Sequence, residues 1–159
     1  MRFTAGFAAL LIVPTAAAQV QFAAPQSVST STLPGQLIAG DFNRDGRPDL
    51  AATGGTGSAL QVALGLGNGS LSPPAFYPLL GHGAPGDLNS DGYADLAIGR
   101  PFLFFAIIAL NTGAGGFIQS SLVHLGIGEV ESLHAVRLAD LNLDGNLDLV
   151  VATSSLAFW

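Results

Sequence analysis

Residues 41–49 read Asp-Phe-Asn-Arg-Asp-Gly-Arg-Pro-Asp, and the fold prediction for the whole chain starts from this stretch. The pattern Asp-x-Asn-x-Asp-Gly-x-x-Asp returns at residues 87–95 and 140–148. Nine of the eleven acidic residues belong to these three copies, and only Glu129 and Glu131 lie outside them. Because carboxylates this close together repel one another, their crowding indicates a cation between them.

The order of residue types in the pattern suits calcium, a hard cation that takes roughly six to eight oxygen ligands. Positions 1, 3 and 5 would turn side-chain oxygens inward, the glycine at position 6 permits a sharp turn, position 7 offers a main-chain carbonyl, and position 9 adds a carboxylate. We therefore predict up to three Ca²⁺ sites, with the loops ordered mainly when the cation is present. The candidate ligands are Asp41, Asn43, Asp45, Arg47 and Asp49; Asp87, Asn89, Asp91, Tyr93 and Asp95; and Asp140, Asn142, Asp144, Asn146 and Asp148, with Arg47, Tyr93 and Asn146 contributing main-chain oxygen.

Several kinds of loop share part of this pattern. An EF-hand needs Glu at position 12 and a helix after it, whereas position 12 is Ala52, Ile98 and Val151, inside β-rich sequence. Disulfide-linked calcium repeats need cysteines, and the chain has none. Three solvated turns without metal stay open as an alternative, because Asp, Asn and Gly favour turns. Magnesium fits less well, since its strict octahedral shell retains water.

The surroundings of the three copies also repeat. The copies begin 46 and 53 residues apart (41 to 87, then 87 to 140), a period typical of propeller blades. A short apolar segment comes before and after each copy, and the first two repeats add a third and a fourth segment separated by glycine-rich turns. This predicts four short strands per repeat and little helix.

The second repeat, residues 83–101, carries a family resemblance. This repeat resembles the FG-GAP repeats of integrin α-subunit propellers in its Gly83-Ala84-Pro85 start, its acidic loop and its Asp-Leu-x-x-Gly-x-Pro end. The other two copies resemble the related bacterial VCBS repeats. The resemblance covers residues 36–159. It implies that a calcium-binding loop joins the first two strands of each blade. The implied fold is all-β: an FG-GAP/VCBS-type partial β-propeller of about 2.5–3 four-stranded blades over residues 35–159. The repeats would lie near residues 35–80, 81–126 and 127–159.

Propellers of that family have about seven blades, whereas this sequence contains three repeats, too few to close such a ring. Either the chain is a fragment of a longer propeller, which we favour, or it assembles with other chains through its open propeller edges.

The N-terminal part predicts export. Residues 1–18 have the pattern of a signal peptide, with Arg2, an apolar core and a small-residue cleavage site, and residues 19–34 form a leader segment. Cleavage leaves four arginines against eleven acidic residues, a formal charge of −7. This balance argues against nucleic-acid binding, and the apolar runs are too short for a membrane span after cleavage.

We expect a secreted calcium-binding protein that is not an enzyme and that binds a protein or glycan ligand in adhesion. Two alternatives stay open: the non-catalytic propeller portion of a larger secreted hydrolase, and a propeller lectin using the aromatics Phe76, Tyr77 and Tyr93. The three histidines, His82, His124 and His134, lack metal-ligand spacing. Residues 65–69 lack the lysine and helix of a phosphate loop.

Overall fold

The computed structural model describes residue 27 and residues 34–54, 59–100, 105–125 and 130–155. The predicted signal peptide and all but two residues of the predicted leader lie outside this part. The described residues form ten β-strands and no helix, arranged as three antiparallel sheets. The predicted all-β class with blade-like four-stranded sheets is confirmed.

Each sheet follows chain order, so neighbouring strands are joined directly as hairpins. Sheet 1 contains β1 (Gln36–Gly40), β2 (Asp49–Thr53), β3 (Ala59–Ala63) and β4 (Ala75–Leu80). Sheet 2 contains β5 (His82–Gly86), β6 (Asp95–Gly99), β7 (Phe105–Asn111) and β8 (Phe117–His124). Sheet 3 contains β9 (Val130–Ala139) and β10 (Asp148–Ser155).

The three acidic loops occupy the same place in their sheets. Each loop connects the first strand to the second, and the residue before the loop pairs with its ninth residue: Gly40 with Asp49, Gly86 with Asp95, and Ala139 with Asp148. The loop therefore sets the register of its hairpin, because a slip of one residue would move every strand side chain to the other face.

Sheet 2 is covered on both faces, and β6 shows this most directly. All five of its residues are buried. Successive strand residues point to opposite faces, so Leu96 and Ile98 enter an apolar cluster shared with sheet 1, while Ala97 enters a second cluster shared with sheet 3. The continuous apolar run after the second acidic loop thus follows from its position in the middle of the stack.

The sheets stack through their first strands, since β5 contacts both β1 and β9. Sheets 2 and 3 approach closely at Gly99, where an added Cβ would lie 2.5 Å from Cγ2 of Val136. A side chain at this position would displace the side chains of Val136 and Leu133 in the neighbouring sheet. Adjacent first strands and face-to-face packing of successive sheets are the arrangement of propeller blades.

The second residue of each acidic loop contributes to the packing between sheets. Phe42 is fully buried and its ring meets that of Phe117 in sheet 2 edge to face, with centroids 5.6 Å apart. Leu88 packs against the cluster between sheets 2 and 3. Leu141 holds the same position in the third loop and is 68% exposed. Each loop that has a following sheet in the described structure therefore docks onto it through this side chain.

Among the residues that the structure describes, none forms a helix with the length and apolarity that crossing a bilayer requires.

Replacing Phe42 with alanine tests the contribution of the loop to inter-sheet packing. The substitution should lower the free energy of unfolding by about 3–5 kcal/mol, because it removes a fully buried aromatic side chain and leaves a cavity. Leu141→Ala, at the matching position of the third loop, should cost less than about 0.5 kcal/mol, since that side chain is largely in solvent. Urea unfolding followed by circular dichroism measures both; equal losses would show that the second position has no role between sheets.

Candidate metal-binding loops

The loops between the first and second strands lie beside one another. The first loop contacts the second through a cation–π interaction, in which Cζ of Arg44 lies 5.2 Å from the ring centre of Tyr93. Between the second and third, an added Cβ at Gly86 would meet the Leu147 side chain at 2.6 Å. The three candidate sites therefore form one row along the stacked sheets.

Within each loop, one side-chain oxygen of position 1 and one of position 3 both accept a hydrogen bond from the main-chain N–H of position 5. The N–H of Asp45 donates to Oδ1 of Asp41 and to Oδ1 of Asn43, both at 3.1 Å. The glycine at position 6 donates to the other oxygen of the first aspartate at 2.9 Å. The second and third loops repeat these bonds with distances of 2.9–3.1 Å.

Position 5 closes the network. Its carboxylate accepts the N–H of position 7 and the side-chain amide of position 3, at 2.9 and 3.1 Å in the first loop and at 2.8 to 2.9 Å in the other two. The side chains of positions 1, 3 and 5 therefore belong to one hydrogen-bonded network in all three loops.

The loop backbone is left-handed at two positions. Glycine at position 6 has φ between 79° and 88°, as the sequence predicts. Position 4 also has positive φ, 58° at Arg44, 60° at Ser90 and 62° at Leu143. Such φ values are uncommon in residues with a side chain and cost roughly 1–2 kcal/mol. Three different residue types share this conformation, so the hydrogen bonds of the loop impose it.

The carboxylate of position 9 is turned toward the main chain. Oδ2 of Asp49 accepts the N–H of Phe42 at 2.8 Å, and Oδ1 accepts the N–H of Gly65, just beyond β3, at 2.7 Å. Asp95 makes the corresponding bonds, both at 2.8 Å, to the N–H groups of Leu88 and Asn111. These two carboxylates connect the loop to the second and third strands of their sheets.

Asp148 occupies position 9 of the third loop in a more open setting. Its Oδ2 accepts the N–H of Leu141 at 2.9 Å, and its side chain is half-buried, whereas Asp49 is only 2% exposed and Asp95 is fully buried. In sheets 1 and 2 the second bond to this carboxylate comes from the end of the third strand, and sheet 3 has two strands in the described residues.

The side chains at positions 1, 3 and 5 of each loop offer oxygen donors of the kinds that calcium accepts. No group of three His, Cys, Asp or Glu side chains stands in metal-holding geometry within the described ranges. Each loop instead combines two carboxylates with an amide oxygen, and calcium accepts carboxylate, amide and main-chain oxygens alike. The ninth carboxylate keeps lone pairs beyond its two N–H bonds, because each carboxylate oxygen has two.

Hydrogen bonds in the second and third loops favour the ionised form of the aspartate at position 5. The N–H of Tyr93 and the amide of Asn89 lower the pKa of Asp91, and the nearby Arg44 charge lowers it further. The N–H and the side-chain amide of Asn146, together with the Asn142 amide, lower the pKa of Asp144. Both aspartates therefore stay ionised, and able to bind a cation, to a lower pH than an ordinary aspartate.

The histidines and aromatic residues singled out in the sequence do not gather into a site. His82 lies in β5 and His124 in β8, at opposite edges of sheet 2, and His134 lies in β9. Tyr77 packs on Phe117 with ring centres 6.0 Å apart, and Tyr93 lies under Arg44. Of the three aromatics that could bind a glycan, Phe76 in β4 is the most exposed.

Sequence reasoning missed Asn111, which the glycine-rich pattern of residues 111–116 assigns to a turn. It ends β7, is 6% exposed, and its side-chain amide donates to the carbonyl of Phe42 at 2.7 Å. The loop residue it contacts is 69 positions away. No local pattern at residues 111–116 points to such a contact.

Comparison with known proteins identifies repeats over the middle of the chain. An FG-GAP-like repeat matches residues 41–98, and an FG-GAP repeat matches residues 81–117. No curated protein and no solved structure matches the chain.

Substitution of Asp49 separates the structural role of position 9 from the role of the inner loop positions. In calcium-free buffer, Asp49→Ala should lower the free energy of unfolding by about 2–4 kcal/mol, because two main-chain N–H groups, one at Phe42 and one at Gly65, lose their acceptor. Asp45→Ala, in the exposed part of the same loop, should cost clearly less, since water replaces its bonds. Chemical unfolding in EDTA measures both, and an equal cost for the two variants would contradict this assignment.

Proposed function

Since residues 41–117 match FG-GAP repeats, we propose that the chain is an exported calcium-binding protein whose bound ions stabilise its blades. The proposed role is binding rather than catalysis, with adhesion to a protein or glycan partner at the loop end of the sheets. FG-GAP repeats are typical of extracellular proteins, in agreement with the signal-like residues 1–18.

One observation carries the calcium proposal. Three loops far apart in sequence adopt the same conformation, hold the same aspartate and asparagine side chains in the same hydrogen-bonded network, and include the same uncommon left-handed residue at position 4. A common ligand gives a physical reason for the same carboxylate and amide side chains to recur at positions 1, 3 and 5, whereas a hydrogen-bonded turn alone can be made by other small polar residues.

The charge balance supports the same proposal. Asp49 and Asp95 are buried carboxylates whose described partners are neutral N–H groups. Buried charges in proteins are usually paired with an opposite charge or bound to a metal. The one ion pair at a loop in the described residues, Arg47 to Asp45 at 3.9 Å, is exposed and contributes little. Three Ca²⁺ ions would reduce the formal charge of the cleaved chain from −7 to −1.

The proposed binding role is supported by what the loop end exposes. Leu141 and Leu143 project from the third loop, and Leu143 is 86% exposed. Apolar side chains on an exposed loop are suited to burial against a partner, and loops on a rigid sheet scaffold are where binding residues concentrate.

Calorimetric titration of the chain with Ca²⁺ tests the calcium proposal. We expect three bound ions, and a gain in melting temperature of roughly 5–10 °C per site when free calcium exceeds the Kd a hundredfold, because an ion that binds only the folded state stabilises it by mass action. Asp45→Ala, Asp91→Ala and Asp144→Ala should each remove about one ion.

Glu131→Gln is the matched control, since Glu131 lies outside the loops, and it should leave the stoichiometry at three. Absence of binding heat, together with no thermal stabilisation beyond that produced by Mg²⁺, would overturn the proposal.

A further inference from the structure

The buried side chain of Asn111 joins two of the candidate calcium loops. Its Nδ2 donates to the carbonyl of Phe42, at position 2 of the first loop, at 2.7 Å, and to the carbonyl of Ala94, at position 8 of the second loop, at 3.0 Å. One amide group therefore holds the backbones of two loops that belong to different sheets.

The other groups of Asn111 are also engaged. Its main-chain N–H donates to Oδ1 of Asp95, the ninth residue of the second loop, at 2.8 Å, and its Oδ1 accepts the N–H of Gly113 at 2.9 Å. The side chain cannot rotate without losing several buried hydrogen bonds, each of which is costly to leave unmade. Asn111 is therefore a rigid connection between the loops.

The points of attachment lie next to candidate ligands. Phe42 stands between Asp41 and Asn43, and Ala94 stands between Tyr93 and Asp95. A cation that fixes Asp41 and Asn43 also fixes the carbonyl between them, which is the group that Asn111 holds. The packing of Phe42 on Phe117 adds a second contact between the first loop and sheet 2.

We propose that Asn111 couples cation binding in the first loop to cation binding in the second, so that filling either loop tightens the other. This inference rests on the proposed calcium function. The physical basis is ordering: the first ion fixes the Phe42 carbonyl and Asn111, so the second ion meets a loop whose eighth and ninth residues are already held. Because coupling between two sites is reciprocal, the effect must be the same in both directions.

Sheet 1 provides a natural comparison for the variant. The N–H of Gly65 bonds to Asp49 as the N–H of Asn111 bonds to Asp95, so Gly65 holds the corresponding position. A side chain is excluded there, because an added Cβ would lie 2.1 Å from the carbonyl oxygen of Pro48. Asn111→Gly thus gives sheet 2 the residue found in sheet 1, keeping the main-chain bond to Asp95 and deleting the connecting amide together with its bond from the N–H of Gly113.

The test measures calcium affinity at the second loop with the first loop intact and disabled. Tb³⁺ serves as the probe, because its luminescence can be excited through a nearby tyrosine and Tyr93 belongs to the second loop. A Trp159→Phe background removes excitation through tryptophan. Competition with calcium then gives the Kd for calcium at the second loop. Tyr93→Phe must abolish the signal, and so must Asp91→Ala with the first loop intact, because Tyr93 also lies beside Arg44 of the first loop. We expect Asp45→Asn, which disables the first loop, to weaken calcium binding at the second by roughly fivefold or more.

In the Asn111→Gly background the same Asp45→Asn change should alter the Kd at the second loop by less than about twofold, because the link is gone. A merely structural role of Asn111 would lower the melting temperature and leave the effect of Asp45→Asn unchanged. Asn68→Gly, a turn asparagine whose described bonds are to Ser70, is the control and should retain the full coupling. If the glycine variant does not fold, Asn111→Ser, which keeps a polar side chain too short to span both loops, replaces it.

The outcomes separate the two proposals. If both loops bind calcium and Asp45→Asn has no effect on the second, or the same effect with and without Asn111, the coupling is wrong and the calcium function stands. If the unsubstituted chain binds no calcium by calorimetry, the calcium function fails and the coupling fails with it.

Discussion

The fold depends on a buried carboxylate that accepts two main-chain hydrogen bonds. In sheets 1 and 2 the ninth residue of the acidic loop, Asp49 or Asp95, accepts one N–H from the second loop residue and one from the residue at the end of the third strand. One side chain thereby fixes the loop, the register of the first hairpin and the position of the third strand. Without this acceptor, two N–H groups would be left without a partner in each sheet.

The same loops also connect each sheet to the next. Phe42 and Leu88 leave their loops to enter the apolar clusters between sheets, while the alternation along β6 divides its side chains between two neighbouring sheets. A single blade has two apolar faces and cannot bury both alone, so stability in such arrays comes largely from interfaces. Loop conformation and inter-sheet packing are therefore not independent, because position 2 lies between two candidate ligands.

The sequence predicted the local part of this structure well and the non-local part poorly. Short apolar runs around each Asp-x-Asn-x-Asp-Gly-x-x-Asp copy predicted strands close to those observed, because turn residues and period-2 alternation act within a few positions. The pattern did not predict that Asp49 and Asp95 face strand N–H groups, nor that Arg44, Ser90 and Leu143 have positive φ. Asn111 resembles one more turn residue in the sequence, since its partner Phe42 is 69 positions away and only the stacking of sheets brings them together.

The three loops share one hydrogen-bonded conformation, and this bears on the proposed role of calcium. Arginine, serine and leucine differ in size, charge and backbone preference, yet each has φ near 60° at position 4. The strain is thus maintained by the surrounding hydrogen bonds and, in the first two loops, by the buried ninth carboxylate. An ion that entered such a loop, as the proposed function requires, would have less chain to order and would offset the repulsion between the aspartates. In the proposed calcium function the cation and the sheet would stabilise the same backbone conformation, so the free energy of binding would contribute directly to the free energy of folding.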